Sequence, residues 1–242
     1  MFIDKRILYI VLGLFIVSNL AGLLSNTNAL LSLLISLPAV LIAITFHEYA
    51  HAWAADRLGD DTPRRQGRLS LNPFSHLDPI GTVMLVFAGF GWGKPVEIDS
   101  RNFNRNIKMS VAEAIVAAAG PLMNFILAII FTIIYAAIWK FAPSFVLTQV
   151  GSIVMILLSA CVSVNVGLGV FNLIPLPPLD GSKIIMPLLP NKAKEFFINN
   201  EQIFYIIFVL IWITGIAGTI ITPAISLVSK GALALGKLIF RL

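Results

Sequence analysis

Long apolar blocks separated by short polar segments dominate the pattern of this chain. Each block is long enough to cross roughly 30 Å of hydrocarbon at about 1.5 Å per residue. Their length and nearly uniform apolar character predict membrane-spanning helices rather than strands. The five blocks occupy residues 7–24, 29–55, 110–139, 150–173 and about 202–222.

The two ends of the chain carry weaker patterns. Block 7–24 could imitate a secretory signal, but it is longer than a typical signal core and no small-residue cleavage site follows it, so we expect a retained first span. Residues 223–242 favour an amphipathic helix that lies on the membrane interface, with a sixth span as the alternative. The polar side of that helix would carry Ser226, Lys230, Lys237 and Arg241.

One apolar segment does not fit a spanning helix. Residues 79–98 are apolar but glycine-rich, and basic residues flank them on both sides. The runs TVMLVF and KPVEI around AGFGWG predict two short strands and a turn. Because a sheet edge cannot face lipid, we expect a re-entrant β-hairpin against protein or a wet cavity. The fold class is therefore an all-α polytopic bundle of five or six spans with this hairpin, in a single domain over 1–242.

Composition and charge agree with a membrane protein. The chain is 58% hydrophobic and only 12% charged, whereas soluble domains are about 25% charged. The net charge of +5 does not indicate nucleic acid, because the Lys and Arg residues lie in the gaps between apolar blocks. Their distribution predicts that the N-terminus, 57–108 and 175–200 face the cytoplasm. The short, compact form favours the inner membrane of a prokaryotic cell.

The second block carries the candidate chemistry in the segment HEYAH. His47 and His51 are four residues apart, so a helix brings both imidazoles to one face. Two such nitrogens can bind one zinc ion, and Glu48 can take a proton from an attacking water, which is the arrangement of zinc proteases. Solvated surface residues are the plainer explanation, but ionisable groups inside a span are costly and usually functional.

A zinc ion that keeps one position open needs a third protein ligand. The fourth block ends in FNLIPLPPLDGSK, where the prolines cannot continue a helix and the backbone unwinds before Asp180. Blocks two and four both run toward the cytoplasm, so Asp180 can fold back toward the histidines. Capping of the next helix is the plainer role for Asp180, and His76 in NPFSHLDP is the competing ligand.

Two asparagines could take part in the chemistry. Asn172, near the end of the fourth block, could donate to a peptide carbonyl or an oxyanion. A packing amide that bonds freed backbone carbonyls explains it equally well. Asn124 in AAAGPLMNF is similar, but the small residues before it first indicate a helix-packing surface.

Taken together, these segments resemble the site-2 protease family of polytopic intramembrane zinc metalloproteases. The resemblance implies that the family's core of three spans corresponds to blocks two, three and four, with the β-hairpin embedded in the membrane. It extends over about residues 38–190 and rests on HEYAH, GRLSLNPFSHLDPIGT, AAAGPLMN and FNLIPLPPLDG.

The resemblance also assigns roles to single residues. His47, His51 and Asp180 would bind one Zn²⁺ ion, and Glu48 would be the catalytic base. Asn172 would lie near the substrate carbonyl. The expected partners are the lipid bilayer and a membrane-spanning protein substrate. A zinc transporter and an inactive binder of membrane segments are the alternative functions, although transporters often contain internal repeats and none is found here.

Overall fold

The computed structural model describes residues 17, 22, 25–79, 81–82, 93–214 and 216–240. Nine α-helices and three short 3₁₀ turns lie within these ranges. The helices are α1 (Thr27–Arg57), α2 (Thr62–Arg65), α3 (Met109–Phe141), α4 (Pro143–Val146), α5 (Gln149–Asn172), α6 (Asp180–Ile185), α7 (Asn191–Asn199), α8 (Glu201–Ile213) and α9 (Ile216–Phe240).

Three of the described helices are long and apolar enough to cross a membrane, namely α1, α3 and α5. Their bounds agree with the predicted blocks 29–55, 110–139 and 150–173 to within two residues at each end. Local signals explain where they begin and end. The Thr148 side chain accepts from the Gly151 N–H at the start of α5, and Pro143 follows the end of α3.

Small side chains let the three long helices approach one another closely. The buried face of α1 repeats at helical spacing and is built from alanines and the two histidines. Helix α3 packs against both α1 and α5, and such small residues favour close helix contact in a membrane. The buried residues of this α1 face are Ala39, Ala43, His47, Ala50, His51 and Ala54.

Large apolar side chains cover the outside of the bundle. On α3 alone, a water-soluble fold would leave an apolar surface far larger than soluble monomers expose. Lipid is the solvent that suits such a surface, so the chain is an integral membrane protein. The exposed apolar residues of α3 include Ile115, Leu122, Ile126, Ile130 and Ile134.

One buried carboxylate ties the segment before α3 to the end of α1. Asp60 is fully buried. Its oxygens accept from the Asp99 N–H at 2.8 Å, the Asn102 amide at 3.0 Å and the Thr62 N–H at 3.1 Å. These bonds hold residues 99–102 against the turn that follows α1, at the end of the bundle that contains Arg57.

The predicted fifth block, 202–222, is wrong as a single helix. Helix α8 ends at Ile213 and α9 begins at Ile216. The Thr214 N–H still bonds the Leu210 carbonyl at 3.0 Å, and the Thr214 hydroxyl donates to the same carbonyl at 2.7 Å, a side-chain bond of the kind that often bends helices. Hydropathy does not detect this break, because the residues on both sides of it are apolar.

The C-terminal helix also differs from the prediction that it begins at 223, because Pro223 lies inside α9. Ile225 and Val228 pack against the buried Ala128, Val162 and Val166 of α3 and α5. Farther along, Phe240 meets Phe141 with ring centroids 5.8 Å apart. Helix α9 therefore runs along the bundle toward the end where α3 finishes.

The first predicted span, 7–24, lies outside the described residues except for residues 17 and 22. Most of the predicted hairpin, 79–98, lies outside them too. At the hairpin, Leu77 and Gly93 form an antiparallel bridge, and 94–98, which was predicted as a strand, has no regular secondary structure. Thr82, which begins the other predicted strand, is helical. The number of spans and the rest of the hairpin remain predictions.

Candidate metal centre

Three potential metal ligands from two distant segments meet at the α1–α3 interface. The Nε2 atoms of His47 and His51 are 3.0 Å apart. Asp180 Oδ2 lies 3.2 Å from each of these nitrogens. The His47 and His51 residues are only 5% and 7% exposed. Among the described residues, this is the group of three side chains arranged to hold a metal ion.

The other nitrogen of each imidazole is already occupied. His51 Nδ1 lies 2.7 Å from the Val116 carbonyl, which can only accept, so this nitrogen carries a proton. His47 Nδ1 lies 2.7 Å from Asn124 Oδ1, and the Asn124 amide nitrogen donates elsewhere, to the Ala43 carbonyl. In neutral imidazoles both Nε2 atoms therefore present lone pairs.

This donor set fits a zinc ion. Two lone pairs and a carboxylate oxygen converge within 3.2 Å, and Asp180 Oδ2 is buried with no hydrogen-bond partner among the described residues. A single proton could bridge only one of the three pairs, whereas a cation at the centre attracts all three. Ligands of tetrahedral zinc at about 2.0–2.1 Å stand roughly 3.3 Å from one another, close to the separations found here.

Tight backbone packing brings Asp180 to this position. The segment after α5 turns back, and α6 begins at Asp180 itself. A Cβ atom on Gly181 would collide with the carbonyl oxygens of Leu173 and Ile174 and lie 2.5 Å from the Leu173 carbonyl carbon. Glycine is therefore required beside Asp180, because any side chain would push α6 away from the end of α5.

A second glycine makes room for the histidines on α3. A Cβ atom on Gly120 would lie 2.6 Å from Cε1 of both His47 and His51 and would collide with His51 Nε2. Val116, Gly120 and Asn124 recur every four residues, so they share the face of α3 that meets α1. On that face, the Val116 carbonyl and the Asn124 amide bond the two imidazoles, and Gly120 leaves the space that the rings occupy.

Glu48 lies at the edge of the same cluster. Its Oε2 atom accepts from the Val96 N–H at 3.2 Å. A Cβ atom on Gly93 would lie 3.5 Å from Glu48 Oε1. The described end of the predicted hairpin thus contacts the glutamate that follows the first histidine.

The remaining predicted candidates are not part of the cluster. His76 is fully buried, and its Nε2 bonds the Ser70 carbonyl at 2.7 Å. The third side chain beside His47 and His51 is therefore Asp180 and not His76. The Asn172 amide donates to the Leu168 carbonyl of its own helix at 3.0 Å. This bond corresponds to the packing role, and the catalytic role of Asn172 stays a prediction.

Sequence reasoning missed Val116, Gly120 and Asn165. The i, i+4 spacing of Val116, Gly120 and Asn124 was the available signal. Asn165 gave no signal in the sequence, because a single amide in an apolar block has no pattern of its own. Its place beside Asn124 emerges only when α3 and α5 are packed together.

Comparisons with known proteins point to one family. A model of peptidase family M50 matches residues 35–214. The protein YwhC of Bacillus subtilis (strain 168), named as a candidate zinc metalloprotease, is 36% identical over 202 residues, covering 84% of this chain and 90% of YwhC. Rip2 of Mycolicibacterium smegmatis, described in the same words, is 28% identical over 72% of this chain and 64% of its own length. Rip2 of Mycobacterium tuberculosis (strain H37Rv) is 27% identical over 71% of this chain and 63% of its own length. No solved structure gave a significant match.

Proposed function

Because this chain belongs to peptidase family M50, the site-2 protease family, and is a zinc metalloprotease, we propose that it hydrolyses peptide bonds within or near transmembrane segments of other proteins. The observation that carries the proposal is the convergence of two imidazole lone pairs and one buried carboxylate oxygen inside a helix bundle with an apolar, lipid-facing surface.

His47, His51 and Asp180 are the proposed zinc ligands, which leaves one position of a tetrahedral ion free for water or substrate. A bound zinc ion supplies Lewis acidity, which polarises a carbonyl group and makes a water molecule more acidic. The Asp180 side chain is 17% exposed, whereas its Oδ2 atom is buried, so a substrate carbonyl and a water molecule would have to reach the cluster past the exposed part of this side chain.

Glu48 is the proposed general base. It takes a proton from the attacking water and later passes that proton to the leaving amine. The Val96 N–H bond to Oε2 orients the carboxylate and leaves Oε1 free of any bond from the described backbone. Asn172 is the proposed second catalytic group, and its amide would have to leave the Leu168 carbonyl in order to donate to a substrate oxyanion.

The depth of the cluster supports a membrane-embedded substrate. His51 lies six residues and His47 ten residues before Arg57, or about 9 and 15 Å along the helix. Half the apolar thickness of a bilayer is about 15 Å. The basic residues at this end of the bundle support a cytoplasmic active site.

The segment beside Glu48 is suited to bind an unwound substrate. A transmembrane helix hides its peptide bonds, so it has to become extended locally before it is cut. Extended peptides commonly add as a strand to a free backbone edge. We propose that the hairpin of 79–98 provides this edge, because its described end contacts Glu48.

A cleavage assay with a matched control tests the function. Purified protein in detergent is mixed with a panel of tagged single-span proteins, and products and bound zinc are measured. The Glu48→Gln variant is expected to keep zinc and to lower cleavage by about 10²–10⁴-fold, the usual contribution of a general base. Glu113→Gln is the control, because Glu113 lies on α3 outside the cluster and accepts a hydrogen bond from the Ser100 hydroxyl.

The outcomes separate this function from its rivals. Retained cleavage by Glu48→Gln would remove Glu48 from the mechanism. A wild-type protein that binds membrane segments but cuts none of them would be an inactive binder. Zinc flux into vesicles that contain the purified protein would identify a transporter.

A further inference from the structure

We propose that Asn165 is a positioning residue for zinc: it orients the Asn124 amide, and that amide keeps the His47 lone pair directed at the metal. This inference rests on the proposed role of His47 as a ligand. Asn124 and Asn165 are both fully buried, and they lie on different helices, α3 and α5. Together with His47 on α1, they form a hydrogen-bonded chain through all three spanning helices.

Backbone carbonyls determine the direction of this chain. The Asn165 amide nitrogen donates to the Cys161 carbonyl at 2.8 Å. Because a carbonyl can only accept, Asn165 must turn its Oδ1 atom toward Asn124, whose Nδ2 lies 3.0 Å away. The same Nδ2 atom also donates to the Ala43 carbonyl at 3.1 Å. Asn124 therefore has only its oxygen to offer to His47 Nδ1.

The orientation of Asn124 decides the tautomer of His47. With the amide oxygen facing the ring, Nδ1 holds the proton and Nε2 keeps its lone pair. If Asn124 were turned over, its NH₂ group would face Nδ1, the ring proton would move to Nε2, and that proton would point at the metal position. The turned amide would also set its oxygen against Asn165 Oδ1 and the Ala43 carbonyl, which a buried site disfavours.

The two histidines are thus held by different means. His51 needs no amide, because the Val116 carbonyl accepts from its Nδ1 directly. His47 depends on a side chain that could rotate, and Asn165 and the Ala43 carbonyl together oppose this rotation. Mutation of a residue that hydrogen-bonds a metal ligand from outside the site typically changes the metal affinity by about 10–100-fold.

Zinc affinity is the decisive measurement. Four proteins are purified in detergent: wild type, Asn165→Leu, Asn165→Asp and Val166→Ala. Each is titrated with zinc in competition with a chelator. The absorption spectrum of each cobalt-substituted form is also recorded. We expect Asn165→Leu to raise the zinc dissociation constant about 10-fold or more and to change the cobalt spectrum. Asn165→Asp should restore both, since a protonated carboxyl, which burial favours, offers the same acceptor and donor.

Val166→Ala is the structural control, because Val166 is fully buried next to Asn165 and has an apolar side chain that cannot form a hydrogen bond. It should lower thermal stability without changing the zinc affinity. If Val166→Ala weakens zinc as much as Asn165→Leu does, or if Asn165→Leu binds zinc like wild type, the positioning role is wrong. If the leucine variant does not fold, Asn165→Ala carries the same expectation. A wild-type protein that binds no zinc would overturn the proposed function itself.

Discussion

Replacing Gly120 with alanine should empty the metal site while leaving the helix bundle intact. The new Cβ atom would lie 2.6 Å from Cε1 of both His47 and His51. Ordinary contacts between carbon atoms begin at about 3.5 Å, so the rings would have to retreat by about 0.9 Å. Zinc–ligand distances tolerate only about 0.2 Å. We therefore expect a loss of zinc affinity beyond the roughly 100-fold that an outer-shell change can cost.

The expected net effect on the stability of the fold is small. Within a helix, alanine is favoured over glycine by about 0.5–1 kcal/mol, which offsets part of the cost of moving two side chains. Zinc content by mass spectrometry and thermal unfolding followed by circular dichroism separate the two effects. The expected result is a folded, zinc-free protein without protease activity.

Gly167→Ala is the matched control for this substitution. Gly167 also lies inside a spanning helix, but among the described residues its added Cβ would meet only Ile225 Cδ1, at 3.6 Å, an ordinary contact. This variant should bind zinc like wild type. Stoichiometric zinc of unchanged affinity in Gly120→Ala would refute the placement of the metal between the histidines and α3.

Four further substitutions test other parts of the structure. Asp180→Ala should lower zinc affinity more than the roughly 10–100-fold loss of an outer-shell partner, whereas His76→Ala should keep zinc; the reverse result in metal analysis would exchange their roles. Gly93→Ala would bring a Cβ within 3.0 Å of the His76 carbonyl oxygen and of Ile44, so the segment that bonds Glu48 should shift. Cleavage should then fall by about 10–100-fold with zinc retained. Unchanged turnover would show that this segment does not take part in catalysis. Burial would raise the pKa of Asp60, but hydrogen bonds from Asn102, Thr62 and the Asp99 N–H outweigh burial and keep this pKa below its ordinary value. The stabilisation from Asp60 is therefore present above the unfolded pKa of about 3.9 and is lost as the pH falls below it. Asp60→Ala should lower stability by about 2–3 kcal/mol near neutral pH, with a smaller difference from wild type at acid pH; thermal midpoints that differ equally at both pH values would contradict this account.

The spanning helices were predictable because their signal is the length of an apolar run. Blocks 29–55, 110–139 and 150–173 correspond closely to α1, α3 and α5. Block 202–222 was wrong as a single helix, and hydropathy could not show this, because the residues on both sides of the break are apolar.

The cluster itself was predictable to a different degree at each residue. The pairing of His47 with His51 follows from helix periodicity alone. Asp180 could be suggested because prolines end the helix before it, although its contact with the histidines depends on how α5 and α6 pack. Asn165 could not be found, because its role depends on a neighbour that belongs to another helix.

The order in which the ligand atoms are made has a consequence for biogenesis. His47 and His51 are synthesised early, but the oxygen that completes their cluster belongs to Asp180, which follows all three long helices in the chain. A nascent protein halted before that point has the two imidazoles but lacks the Asp180 carboxylate. With the proposed ligands, the zinc site is therefore completed only late in synthesis.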